Sequence, residues 1–136
     1  MFLPIEHLSN LLQARFPELT FVLLFGSSQD GEISEGADVD LGIWCEKGVN
    51  KTDLIMRLMT AMEKGFPEIT FDLSVLNEAG PVLRFEALKG RVLFIREGRE
   101  EVYSNFYSRT CADYTDYDFW MTKQLEYRGY EVRHNR

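Results

Sequence analysis

Polar and apolar positions along the chain switch between two periods, and the switches mark out its elements. Ile5, Leu8, Leu12 and Phe16 recur every three or four residues, the spacing of one helix face, so a first helix is predicted over Pro4–Phe16. Pro4 suits the first helical turn, where its missing N–H costs nothing, and Pro17 closes the segment. Leu19–Phe25 (LTFVLLF) is almost wholly apolar and β-rich, as a strand covered on both faces would be. A loop without aliphatic continuity, Gly26–Ala37, leads to Asp38–Trp44 (DVDLGIW), which alternates like a second strand. Asn50 reads as a helix N-cap with Asp53 three residues on, and Leu54, Ile55, Leu58, Met59 and Met62 form one apolar face before a stop at Gly65. Ile69–Leu76 (ITFDLSVL) alternates cleanly, with Ile69, Phe71, Leu73 and Val75 on one side and Thr70, Asp72 and Ser74 on the other. A short helix after Asn77 and Pro81 turns Val82, Phe85 and Leu88 inward and stops at Gly90, and Arg91–Ile95 (RVLFI) is a fourth strand.

Beyond Ile95 the pattern changes. No Gly or Pro occurs from Arg99 to Arg128, and all six tyrosines lie beyond Arg99. Tyr103, Tyr107, Thr110, Tyr114 and Tyr117 step by four, three, four and three, which is one helical stripe. The run Asp113–Asp118 has weak helix propensity, so one long helix or two shorter ones remain open. The stripe is either core or a contact surface for another chain, since aromatic residues are enriched at interfaces. The arginine-bearing end, Arg128–Arg136, is a solvated tail or a docking arm for an acidic groove. Strands and helices alternate through one α/β (α+β) unit. The core is expected over residues 1–96, and residues 97–136 form a helical extension packed on that core or on a partner, with a mobile tail.

Composition narrows the function. The chain has 136 residues, with 45% hydrophobic and 27% charged positions, an ordinary balance for one folded domain. Fifteen basic residues against 22 acidic ones give a net charge of −7, which lacks the electrostatic footprint of a general nucleic-acid binder. Two cysteines, Cys45 and Cys111, are too few for a disulfide framework and read as free thiols in a reducing cytoplasm. No segment approaches the roughly 20 apolar residues of a membrane span, and the N-terminus has no leader pattern, so a cytoplasmic protein is expected. His7 and His134 read as surface residues, Trp44 as core and Cys45 as a small buried residue.

The chemistry concentrates in carboxylates. Asp38 and Asp40 stand at i and i+2, so the period of a strand puts both on one face. Asp72 occupies the polar register of a different strand. Three carboxylates on adjacent strands would repel one another unless divalent cations lie between them. Hard oxygen donors suit Mg²⁺, which takes its remaining ligands from water and substrate phosphates. Upstream, an apolar strand runs directly into Gly26-Ser27. A glycine lets backbone N–H groups approach a phosphate closely, and the serine hydroxyl adds a donor.

Gly26, Ser27, ten intervening residues and Asp38-Val39-Asp40 resemble the GSx10DxD pattern of the DNA polymerase β-type nucleotidyltransferase superfamily. At this size the chain is similar to the minimal nucleotidyltransferases, the MNT antitoxins paired with HEPN toxins. Asp72, in Phe71-Asp72-Leu73, matches the family's later strand carboxylate, and the stretch from Asn77 through Pro81 and Leu88 to Phe94 is similar to its helix-then-strand close. The resemblance covers Phe2–Ile95 well and the C-terminal third loosely. It departs from the family pattern at Ser28-Gln29-Asp30-Gly31, where an Ala-Arg-Gly-like run is common, and at Ala37, where a serine is favoured.

The resemblance implies a nucleotidyltransferase fold with a small mixed sheet of about four strands. It implies ATP as substrate, two Mg²⁺ ions held by Asp38, Asp40 and Asp72, and a triphosphate gripped by Gly26 and Ser27. The acceptor it implies is a tyrosine hydroxyl of a cognate HEPN ribonuclease toxin, with which the chain would form a hetero-oligomer. The toxin would be silenced by AMP transfer. Two other readings stay open: an antitoxin of this fold acting by binding alone, and a nucleotidyltransferase acting on a small molecule of the aminoglycoside type.

Overall fold

A computed structural model describes residues 1–129. His134 and the arginines of the chain end beyond Arg128 lie outside the described residues. The order is α1 (Ile5–Arg15), β1 (Leu19–Phe25), β2 (Val39–Cys45), α2 (Lys51–Gly65), β3 (Phe71–Val75), α3 (Pro81–Leu88), β4 (Arg91–Ile95) and α4 (Glu100–Tyr127). Short 3-10 turns follow β1 at Gly26–Ser28 and β3 at Leu76–Glu78. The strands form one mixed sheet in the order β3-β2-β1-β4, with β1 antiparallel to β2 and β4, and β2 parallel to β3.

The apolar run of β1 is explained by its central place: every residue of the strand is buried. One face of the sheet meets α1 and α2 through Leu8, Leu12, Leu54, Leu58 and Met62. The other face gathers Phe21, Leu23 and Phe25 of β1 with Leu76, Ala87 of α3 and Phe106 of α4. Helices on both faces of a sheet bury both of its apolar sides. The buried hydroxyl of Thr20 is satisfied by donating to the Glu46 carboxylate. Arg96 donates to the carbonyls of Gln13, Phe16 and Leu19, tying the end of α1 to the start of β1.

Several details differ from the sequence reading. Helix α1 starts at Ile5, with Pro4 as its non-helical cap. Strand β2 starts at Val39, so Asp38 immediately precedes it, and β3 spans Phe71–Val75. In α2 the buried residues are Leu54, Leu58, Ala61 and Met62, whereas Met59 is exposed. In α3 the buried residue is Ala87, while Val82 is exposed and Phe85 turns sideways to stack on Tyr114 at 3.9 Å. The small Ala87 lets α3 lie close to the sheet, which rotates the larger side chains toward α4. Trp44 is half-buried, stacked on Phe21 at 5.6 Å with the Arg84 guanidinium over its ring. Cys45 is buried and unpaired, and His7 is exposed.

The C-terminal segment is one helix of 28 residues, about 42 Å long. Its tyrosine stripe divides. Tyr103 packs edge-on against Phe21 and Tyr114 stacks on Phe85, with Thr110 buried between them, whereas Tyr107 and Tyr117 are exposed. The stripe is therefore core along its centre and open along its margin. The loop Gly26–Ala37 is anchored as well. Ile33 N–H donates to the Met1 carbonyl and Leu3 N–H to the Gly31 carbonyl, and both Ile33 and Leu3 are buried. No described helix is long and apolar enough to cross a membrane.

Candidate active site

The C-terminal end of β1 and the N-terminal ends of β2 and β3 meet at one end of the sheet. In β2, Val39, Leu41, Ile43 and Cys45 belong to the core against α1 and α2. Asp40 therefore projects from the opposite face, the one that α3 and α4 cover. The same alternation in β3 sends Phe71, Leu73 and Val75 to that core and leaves Asp72 on the α3 side. The parallel register sets Asp40 directly opposite Asp72. Neighbouring strands lie about 4.8 Å apart, so the two carboxylates stand side by side. Asp38 lies two residues before Asp40, just outside the strand, and its charge is felt at Asp40.

The turn after β1 reaches the same place. Phe25 pairs with Asp40, which sets Gly26 against the Asp40 side chain. Gly26 has φ +74°, a left-handed conformation that L side chains rarely adopt. An ideal Cβ built there would overlap Asp40 Oδ2 and lie 3.2 Å from its Cγ. Glycine at this position thus does two things: it turns the chain, and it leaves the volume that the Asp40 carboxylate fills. The sequence motif suggested the first role and gave no sign of the second, because the second depends on strand register.

Burial pushes the Asp40 carboxyl above the usual carboxylate range, and the negative charges of Asp72 and then Asp38 push it further the same way. The three aspartates are thus close enough to feel one another, and among the described residues no cation offsets them at Asp40. Asp38 and Asp72 are exposed and Asp40 is half-buried. A cleft of about 400 Å³ opens beside Asp38, lined by the loop Ile33–Ala37 and by Glu68, Ile69 and Thr70.

Ser27 is exposed on the turn, whereas Ser28 is buried with its Oγ unpartnered among the described residues. Asp30, the acidic residue at the departure from the family loop, accepts a hydrogen bond from Glu32 N–H at 3.0 Å. Its carboxylate closes an Asx turn, a local backbone role open to Asp. Among the described residues, no three His, Cys, Asp or Glu side chains are gathered tightly enough to form a metal site by themselves. The donors nevertheless fit a hard divalent cation in kind: all are carboxylate oxygens, and no described cationic side chain offsets the charge at Asp40.

The family model described as "Polymerase beta, Nucleotidyltransferase" matches residues 6–99. That span includes all four strands, the Gly26-Ser27 turn and the three aspartates. The chain belongs to this nucleotidyltransferase family. Solved structures share its fold. A mutant of the MntA–HepT toxin–antitoxin complex contains a chain 18% identical, with a TM-score of 0.69, covering 91% of this chain and 94% of that one. A toxin–antitoxin structure with AMP-PNP gives 19% identity and a TM-score of 0.68, with 91% and 94% covered. A Shewanella oneidensis structure, a tri-AMPylated HEPN toxin in complex with MNT antitoxin, gives 18% identity and a TM-score of 0.60, with 90% and 92% covered. No curated protein shows significant similarity to the chain.

The family match identifies the domain as a nucleotidyltransferase, and the neighbours extend the fold likeness beyond residue 99 into α4. This mixed α/β fold, with its four-stranded sheet and C-terminal helix, agrees with the sequence reading.

Proposed function

We propose that this nucleotidyltransferase is an antitoxin that transfers AMP from ATP to a tyrosine hydroxyl of a HEPN-family ribonuclease partner. The observation that carries the reading is the placement of Asp40 opposite Asp72, with Gly26 packed against Asp40. One carboxylate pair and one phosphate-accessible turn share a single end of the sheet. Likeness to antitoxin complexes, one with AMP-PNP and one with an AMPylated toxin, supports the substrate and the acceptor.

In this reading the exposed Gly26-Ser27 turn holds the triphosphate through backbone N–H groups and the Ser27 hydroxyl. Asp38, Asp40 and Asp72 are the residues that would hold Mg²⁺. Bound there with the nucleotide, Mg²⁺ would neutralise the charge developing on the phosphates. The pair Asp38 and Asp40 orients the α-phosphate toward the α3 side of the sheet. Asp72, exposed at the rim, accepts the proton of the attacking tyrosine hydroxyl. The new bond runs from that oxygen to the α-phosphorus, and the bond to pyrophosphate breaks. Positioning supplies most of the acceleration in such a transfer.

The test is intact-mass spectrometry of a cognate HEPN-family protein incubated with the chain, ATP and Mg²⁺. The expected result is a mass gain of one or more AMP groups that disappears in the Asp38→Ala/Asp40→Ala double variant. No gain with the wild type, or an equal gain with the double variant, overturns the reading.

A further inference from the structure

Helix α4 presents a second, outward stripe. Its inward side is fixed by Phe106 against Phe21 and Trp44, by buried Thr110, and by Tyr114 against Phe85. Away from that contact, Asp116, Phe119, Trp120, Lys123 and Tyr127 fall at i, i+3, i+4, i+7 and i+11, so they form one continuous face. Phe119, Trp120 and Tyr127 are 64%, 57% and 91% exposed, and Lys123 caps the Phe119 ring at 5.5 Å. Aromatic side chains present about 150–250 Å² each, so these three leave roughly 400 Å² of ring surface in water. That is about half of the ~800 Å² each partner buries in a standard interface. Single exposed aromatics are ordinary, but three aligned over two turns are not.

We infer that this stripe is the docking face for the acceptor protein, a basic partner with an apolar groove that takes the α4 ridge. The inference rests on the function proposed above and names the surface through which that partner is held. The spacing is that of a helix laid into a groove, read by anchors at i, i+3, i+4 and i+7. Charge selects the partner. The distal half of α4 carries Asp113, Asp116, Asp118 and Glu126 against Lys123, with Arg128 at the helix end; Asp113 pairs with Arg109 and Glu126 with Lys123, and the chain as a whole carries a net charge of −7. A second copy would bring the same net negative charge, whereas a basic protein complements it. Position agrees as well. Helix α4 packs on α3, and both cover the sheet face from which Asp40 and Asp72 project, so a partner seated on α4 stands on the carboxylate side.

The experiment compares the full-length wild type with the Phe119→Ala/Trp120→Ala variant. Calorimetry measures binding to the cognate HEPN-family protein, mass spectrometry measures AMP transfer, and sedimentation gives the oligomeric state of the chain alone. Both side chains are exposed, so the variant should keep the wild-type melting temperature. The expected result is a loss of at least 100-fold in partner affinity, as for two aromatic hot spots, with unchanged Mg-ATP binding. Partner affinity within threefold of wild type overturns the inference even if AMP transfer occurs. Complex formation that is lost in the variant, without any AMP adduct from the wild type, upholds the docking face and overturns the proposed activity instead. A wild-type dimer that the variant abolishes would assign the stripe to a second copy and also overturn the inference.

Discussion

Replacing Gly26 by alanine tests the geometry of the carboxylate cluster directly. Two separate costs arise from one methyl group. The first is conformational: at φ +74° an L residue is strained by about 1–2 kcal/mol. Loss of glycine's freedom in the unfolded chain returns about 0.4–1 kcal/mol. The second is steric: the new Cβ overlaps Asp40 Oδ2 and sits 3.2 Å from Cγ, where carbon–carbon contacts prefer about 3.5–4.0 Å. The carboxylate must therefore retreat by about half an ångström or more. A misplacement near 1 Å in such a site can cost about 100-fold in rate. Gly48 provides the control, because its φ is +79° and nothing lies within 4 Å of an ideal Cβ. Gly48→Ala should show the conformational cost alone, and Gly26→Ala should lose more stability. For a domain this size, each kcal/mol moves the melting temperature by about 3–5 °C. In an Asp40→Ala background the Gly26→Ala penalty should fall to that of Gly48→Ala, since the clashing oxygen is gone. The assays are urea unfolding for the four variants and AMP transfer for the two glycine variants. Equal costs at Gly26 and Gly48, with full activity retained in Gly26→Ala, would refute the packing of Asp40 on this turn.

The same geometry leads to three further outcomes. Asp40 is held above the usual carboxylate range by burial and by Asp72 and Asp38, so the folded state keeps a proton that the unfolded chain has already lost. Stability therefore falls as pH rises through that window, and Asp40→Asn should melt above the wild type at pH 7, the gap closing as pH drops below about 4; a gap that widens toward acid would contradict this. Asn77 bridges the end of β2, its Oδ1 accepting from Cys45 N–H at 2.9 Å and its Nδ2 donating to the Cys45 carbonyl at 3.1 Å. Asn77→Ala leaves both backbone groups unpaired and should cost about 1–3 kcal/mol in urea unfolding, and a cost below 0.5 kcal/mol would show that water replaces the bridge. Phe21 meets Trp44, Tyr103 and Phe106, so Phe21→Ala should cost about 3–5 kcal/mol and raise amide exchange across the first turns of α4; unchanged exchange in α4 would place its anchor elsewhere.

The linear pattern was enough for the four strands and the first three helices, and it left open whether the C-terminal segment is one helix or two. The alternation of Phe71, Asp72 and Leu73 puts a carboxylate on one face whatever the strand pairs with, and the unbroken apolar run of β1 requires cover on both sides. The Gly-Ser turn and the two-residue spacing of Asp38 and Asp40 are local as well, and they were sufficient to point to the family. Side choice within helices was less legible. Val82 and Met59 sit at helical spacing yet face solvent, because helix rotation follows which small residue, here Ala87 or Ala61, allows closest approach.

The non-local facts belong to the tertiary structure alone. Nothing in the sequence says that Asp40 pairs with Asp72 and Phe25 with Asp40, because register is set by the joint packing of three strands against two cores. That register turns Gly26 from a flexible residue into the space that Asp40 occupies, and it creates the mutual repulsion that shifts the Asp40 carboxyl. The same holds for α4. Its sequence carries aromatic residues all around, and only its contact with β1 and α3 decides which of them are core and which remain in water.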